Sequence, residues 1–166
     1  MWGRAPGRWG GIAALMVTSM VIAAAGPTLI VRDETAGRDV ICLPLSSTSQ
    51  VAYSFTHSMY GGDVTEEFVL AGTDRLRRTS FSTANEAAAE YYAYETNVVP
   101  IDGRFVVDVP IVEFSEIVVR VDTIGAHRLR LNDSTIDLLA ATGDRHQVRL
   151  TVEPTTVGQR LLSDAC

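Results

Sequence analysis

From Thr28 to Val152 the apolar residues fall in short runs with a period near two, broken by clusters of glycine, proline, asparagine and aspartate. Side chains alternate across a strand, so this pattern predicts β-structure. Thr28–Asp33 and Arg38–Leu45 flank Glu34-Thr35-Ala36-Gly37; Ser49–Tyr60 and Asp63–Ala71 flank Gly61-Gly62; Arg75–Phe81 follows Gly72-Thr73-Asp74. Phe105–Val109, Glu113–Val121, His127–Leu131, Thr135–Leu139 and Gln147–Val152 complete the set, divided by Pro110, Gly125, Asn132-Asp133 and Gly143-Asp144. The expected fold is mainly β: an antiparallel β-sandwich or partly open barrel of meandering hairpins. Thr83–Tyr94 departs from the pattern. It is rich in alanine and sets Thr83 three residues before Glu86, the spacing of a capping box, which predicts one short helix over a mouth of the sheet.

The first 25 residues follow different rules. Arg4 and Arg8 form a positive flank, Gly11–Ala25 is apolar, and Ala23-Ala24-Ala25 offers small residues for cleavage. Residues 1–25 therefore read as a signal peptide or an N-terminal membrane anchor, and 28–166 as a single β domain. No charge interrupts Trp9 to Val31, which keeps the anchor open. Either way the basic flank stays inside and the domain is expected outside the cytoplasmic membrane, touching it only through that segment.

About 140 residues then remain, enough for one core and not two. Every basic residue is arginine, two of the fourteen lie in the leader, and twenty acids oppose them. An acidic domain with no basic stripe lacks the footprint of a nucleic-acid binder. Export also changes how the two cysteines read, because thiols oxidise outside the cytosol. Cys42 and Cys166 either pair, stapling the chain end to an early strand, or remain a buried apolar residue and a free terminal thiol. Their spacing matches no metal or redox motif.

If Gly61-Gly62 is a two-residue hairpin loop, Tyr60 faces Asp63 and His57 faces Glu66. Val51, Tyr53, Phe55, His57 and Met59 then share a face with Val64, Glu66, Phe68 and Leu70, apolar except for the histidine and glutamate. Cross-strand neighbours sit close enough for an imidazole–carboxylate bond. Such a pair either fixes the register of a core hairpin or orients His57 toward a ligand, a metal or a proton. Ser58 points to the opposite face in a regular strand and is no partner for His57. Tyr53, Tyr91, Tyr92 and Tyr94 are candidates to line a pocket over the sheet. His127 and His146, beside arginines, read as surface residues. Asn132-Asp133-Ser134 matches a glycosylation sequon but reads as a hairpin turn.

No nucleophile elbow, zinc-protease helix, phosphate loop or dinucleotide fingerprint occurs in the chain. No catalytic residue, cofactor or metal site is expected.

The segment Tyr53-Ser54-Phe55-Thr56-His57-Ser58, with Glu66 and Phe68 at fixed spacing behind it, resembles the domain of unknown function 1850 family. Its hallmark is an aromatic residue, Thr-His-Ser, a turn and a glutamate. The likeness runs from about Leu29 through the middle of the chain. Asp63 stands where that family often has proline, and Thr83–Tyr94 replaces a glycine-rich stretch. The resemblance implies a small exported or membrane-anchored protein encoded beside TRAP transporters of the TAXI type, with His57, Ser58 and Glu66 as the positions carried over. Three roles follow as expectations. The first is a non-catalytic accessory or binding module whose partners are transporter subunits or a small solute; the others are a small hydrolase or metal-dependent enzyme using His57 and Glu66, and a structural envelope domain.

Overall fold

A computed structural model describes residues 26–93 and 96–155. Residues 1–25, where a leader is expected, lie outside the described residues, as do Tyr94 and Cys166 and with them the question of a Cys42–Cys166 bridge. The strands are β1 (Gly26–Asp33), β2 (Arg38–Pro44), β3 (Gln50–Thr56), β4 (Asp63–Ala71), β5 (Arg75–Thr83), β6 (Val98–Ile101), β7 (Arg104–Val107), β8 (Glu113–Phe114), β9 (Glu116–Val121), β10 (Arg128–Leu131), β11 (Ser134–Asp137) and β12 (His146–Thr155). The helices are α1 (Glu86–Ala93) and α2 (Leu138–Ala141).

All strand pairs are antiparallel and form two sheets. One has four strands in the order β2-β1-β12-β9; the other has eight, ordered β11-β10-β3-β4-β5-β7-β6, with β8 also on β5. One core cluster draws Leu29, Val31, Val121, Val148 and Leu150 from the smaller sheet and Val51, Tyr53, Phe68, Leu76 and Leu129 from the larger. The two sheets therefore face each other across a shared core, as the alternating pattern predicts. Each fully buried leucine or valine there contributes about 1.5–3 kcal/mol. In β10 the period is plain: Leu129 and Leu131 are buried while Arg128 and Arg130 are exposed.

The chain departs locally from the expected strands in three places here. The run Glu113–Val121 is split at Ser115, so that β8 pairs with β5 and β9 with β12, passing the chain from one sheet to the other. Thr135–Leu139 is strand only to Asp137, whose carboxylate accepts the Ala140 N–H at 3.1 Å and caps a second helix, α2. β6 was absent from the sequence reading; it joins β7 through Asp102-Gly103, both with positive φ (50° and 78°), as a tight two-residue reversal requires.

The α1 helix forms where alanine enrichment places it, but its cap is Asn85 rather than Thr83. Asn85 Oδ1 accepts the Ala88 N–H at 3.1 Å, and Thr83, fully buried at the end of β5, accepts the Asn85 N–H instead. The helix sets Ala88, Ala89 and Ala93 inward. Ala89 and Ala93 pack in a second cluster with Val64, Phe81 and Val107. The Asn132-Asp133 reversal between β10 and β11 is a hairpin turn, with Asn132 at φ 51°.

Candidate functional site

The β3–β4 hairpin closes differently from the two-glycine expectation. Thr56 faces Asp63 and Tyr53 faces Glu66, a register displaced by four residues. His57 N donates to Gly62 O at 3.0 Å and Gly61 N to His57 O at 2.9 Å, leaving Ser58-Met59-Tyr60-Gly61 as the loop. The physical reason is the imidazole itself. Its Nδ1 accepts the N–H groups of Met59 and Tyr60, both at 3.2 Å, and so satisfies backbone donors that a tighter turn would not present. Gly61 and Gly62 do take positive φ, 66° and 75°, and a Cβ on Gly62 would sit 2.8 Å from that of Asn85. A four-residue displacement is even, so the faces survive although the partners change.

The opposed His57–Glu66 pair is therefore not formed. Four residues of strand, about 13 Å, separate their levels. His57 is 7% exposed and enclosed by the rings of Tyr60, Tyr91 and Tyr92, with centroids at 5.1, 5.5 and 5.6 Å. With Nδ1 accepting, its proton resides on Nε2. Glu66 instead accepts from Arg78 Nη1 at 3.2 Å, and both side chains are mostly covered. A bulge between Glu67 and Phe68 shifts the β4–β5 register beside Arg78, which also stacks over Phe114 at 5.7 Å. Ser58 is exposed in the loop, outside any strand, and Tyr91 is exposed on the helix, against His57 and Tyr60.

What the fold does assemble is a polar chain that the sequence reading did not include. Tyr53, 4% exposed, places its hydroxyl 2.6 Å from His127 Nδ1. Burial raises the phenol well above its ordinary pKa, with Glu66, Asp122 and Tyr92 adding to the effect, so the hydroxyl is the donor. Burial likewise lowers the pKa of His127, with Asp122 pulling the other way, so near neutral pH the ring is uncharged and carries its proton on Nε2. That nitrogen lies 4.0 Å from Asp122 Oδ1. The Gly125 N–H is the main cause holding the Asp122 carboxyl below its ordinary range; burial opposes it, and the Ile124 N–H, His127 and Arg120 assist. Tyr92 is also raised, first by burial and then by Glu66 and Tyr91.

His127 is thus a buried residue rather than a surface one. Its position was readable in principle: in His127-Arg128-Leu129-Arg130-Leu131 it shares parity with the two inward leucines. His146 is not a free surface group either. Its Nδ1 lies 2.8 Å from Oδ2 of Asp33, a fully buried carboxylate whose Oδ1 accepts the Ala36 N–H. Burial pushes the Asp33 pKa up, but those hydrogen bonds outweigh it and the net displacement is downward.

These elements meet at one end of the sandwich, where an open cleft of about 170 Å³ is lined by Phe55, Thr56, His57, Ser58, Tyr92, Arg120, Asp122, Gly125 and His127. Gly125 closes one wall. A Cβ there would fall 2.0 Å from His127 Nε2, so only glycine lets the loop pass against the ring. Imidazole, phenol and carboxylate groups can hold a small polar molecule by hydrogen bonds. They are not arranged as a nucleophile with its base, because His127 Nδ1 is occupied by Tyr53 and Nε2 faces a carboxylate. Among the described residues no three potential metal ligands cluster, and no helix is long and apolar enough to cross a membrane.

No family model matches this chain, and neither a curated protein nor a solved structure matches it significantly.

Proposed function

We propose that the chain is an exported, non-catalytic binding module that takes a small polar solute, or a polar group of an uptake-system subunit, into the cleft at the Asp122–His127 end of the sandwich. The observation that carries this reading is the buried Tyr53–His127 bond at 2.6 Å behind an open cleft. A ring fixed in one tautomer, with its Nε2–H turned toward the Asp122 side, suits recognition by hydrogen bonding. Export rests on the leader pattern of residues 1–25, and the link to a TRAP transporter of the TAXI type rests on the resemblance of segment 53–68. In this reading His57 shapes the cleft with its tyrosine surround, and Ser58 stands at its lip. The enzyme alternative needs a contact between His57 and Glu66, whereas each is bonded elsewhere.

The test is calorimetry of the purified chain against transporter subunits encoded beside its gene and against their solutes. Saturable binding that falls at least about tenfold in His127→Ala, with folding retained, is the expected result. Absence of binding to every subunit and solute, together with ester or phosphate turnover that disappears in His57→Ala, would replace the proposal with an enzyme. A reporter fused behind Met1–Ala25 checks export separately.

A further inference from the structure

Away from the cleft, the outer face of the eight-stranded sheet has an unusual charge pattern. β3 turns Gln50, Ala52, Ser54 and Thr56 outward, and the cross-strand registers set them in rows with β10 and β4. In one row Arg130, Ala52 and Glu67 lie side by side, and Arg130 Nη2 reaches across the alanine to Glu67 Oε1 at 3.6 Å. The next row repeats the geometry with Arg128, Ser54 and Thr65. Here the position two strands from the arginine carries a hydroxyl instead of a carboxylate.

We propose that this row is a binding slot for a small oxyanion, the carboxylate or phosphate group of a ligand, which supplies the negative charge that Thr65 does not. Arg128 is exposed and forms no ion pair among the described residues. Its other cross-strand neighbour, Asp137, turns its Oδ1 to the Ala140 N–H at the start of α2 and makes no ion pair with Arg128. From the far side Arg104 Nη2 donates to Thr65 Oγ1 at 3.3 Å while its Nη1 is tied to Asp63 at 2.6 Å. The Thr65 hydroxyl therefore accepts from one guanidinium and keeps its own proton for a ligand oxygen. Ser54 and Thr135 add hydroxyls without partners among the described residues, and the open volume above them is about 290 Å³. The length of reach is not in question, since Arg130 already spans the same two-strand interval. A guanidinium with hydroxyl donors beside it is the chemistry that recognises oxyanions, by charge-assisted and directional hydrogen bonds. The slot is separate from the Asp122–His127 cleft and stands or falls independently of it.

The experiment is a titration of the purified full chain at low ionic strength, followed by amide chemical shifts, with inorganic phosphate and with succinate as probes. Saturable shifts centred on β3, β4 and β10 are expected with one or both; the probe that saturates at lower concentration identifies the phosphate or the carboxylate source. Arg128→Ala should weaken binding about tenfold or more, the size of one charge-assisted hydrogen bond. Thr65→Glu, which builds the missing carboxylate into the protein, should suppress binding to a similar degree without loss of folding. Arg38→Ala removes an exposed arginine from the other sheet and should leave the titration unchanged. Failure of both probes to saturate would overturn the proposal. So would saturation that Arg128→Ala and Thr65→Glu leave intact, or that Arg38→Ala weakens equally.

Discussion

Gly125→Ala places a single methyl group against the His127 ring, which is held from several sides. The new Cβ would lie 2.0 Å from His127 Nε2 and 2.6 and 2.7 Å from its Cδ2 and Cε1. Ordinary contact begins near 3.4 Å, so ring or loop must yield by more than an ångström. The ring has little freedom, since Tyr53 holds Nδ1 at 2.6 Å and Tyr53 and Phe55 stack alongside with centroids 6.0 and 6.1 Å away. The loop is pinned as well, by Gly125 N to Asp122 Oδ1 at 2.7 Å and Thr56 N to Gly125 O at 2.6 Å. Overpacking costs about 1–3 kcal/mol, and losing the buried Tyr53–His127 bond costs about 1–3 more. The combined destabilisation of about 2–6 kcal/mol should appear in urea unfolding as a lower midpoint at unchanged slope. The decisive measurement is the double variant with His127→Ala. Removing the ring removes the obstacle, so Gly125→Ala should cost much less in that background, a coupling of about 1 kcal/mol or more. A Gly125→Ala single variant within about 0.5 kcal/mol of the parent, or strict additivity in the cycle, would refute the close approach.

Other outcomes follow from the same contacts. Tyr53→Phe leaves His127 Nδ1 buried without a donor and should lower stability by about 1–3 kcal/mol, with its NMR titration showing an altered His127 tautomer. Glu66→Gln removes the charge opposite Arg78, which is mostly covered and has a buried Nε without a partner, so unfolding measurements should register a loss of about 1–3 kcal/mol. Acid should destabilise the fold in two stages. His127 has a folded pKa below its ordinary 6.5, so the unfolded chain binds more protons and stability declines as pH drops below that value. Asp33 and Asp122, also lowered, hold stability that is present above 3.8 and is lost as pH falls through their folded values. Asp33→Asn should flatten the lower part of that profile in pH-dependent melting, while His127→Ala should flatten the upper part.

Most of the strands and their inward faces were legible because alternation decides them, whereas β6 (Val98–Ile101) carries no such alternation. β4 matches its sequence boundaries residue for residue, and Tyr53, Phe55, Glu66 and Phe68 lie on the expected side of the sheet. Register was not legible in the same way. Two glycines announce a reversal but not the loop length, and only the three-dimensional turn reveals that the His57 imidazole accepts two of its N–H groups. Ser115 alone marks the passage between sheets, too weak a signal inside an apolar run. His127 escaped because its arginine neighbours suggested solvent, although parity with Leu129 and Leu131 outranks adjacent charge. Its bond to Tyr53 spans 74 residues, a distance that no local pattern conveys.

The direction of β1 sets how the domain presents itself. Gly26 pairs with Thr155 at one end, while Asp33 and then the β9–β12 pair Val121 and His146 mark the other, beside Asp122. Eight residues of extended chain cover about 25 Å. A tether attached ahead of Gly26 would therefore leave the opening at the far tip of the domain, clear of the attachment and open to whatever diffuses or docks there.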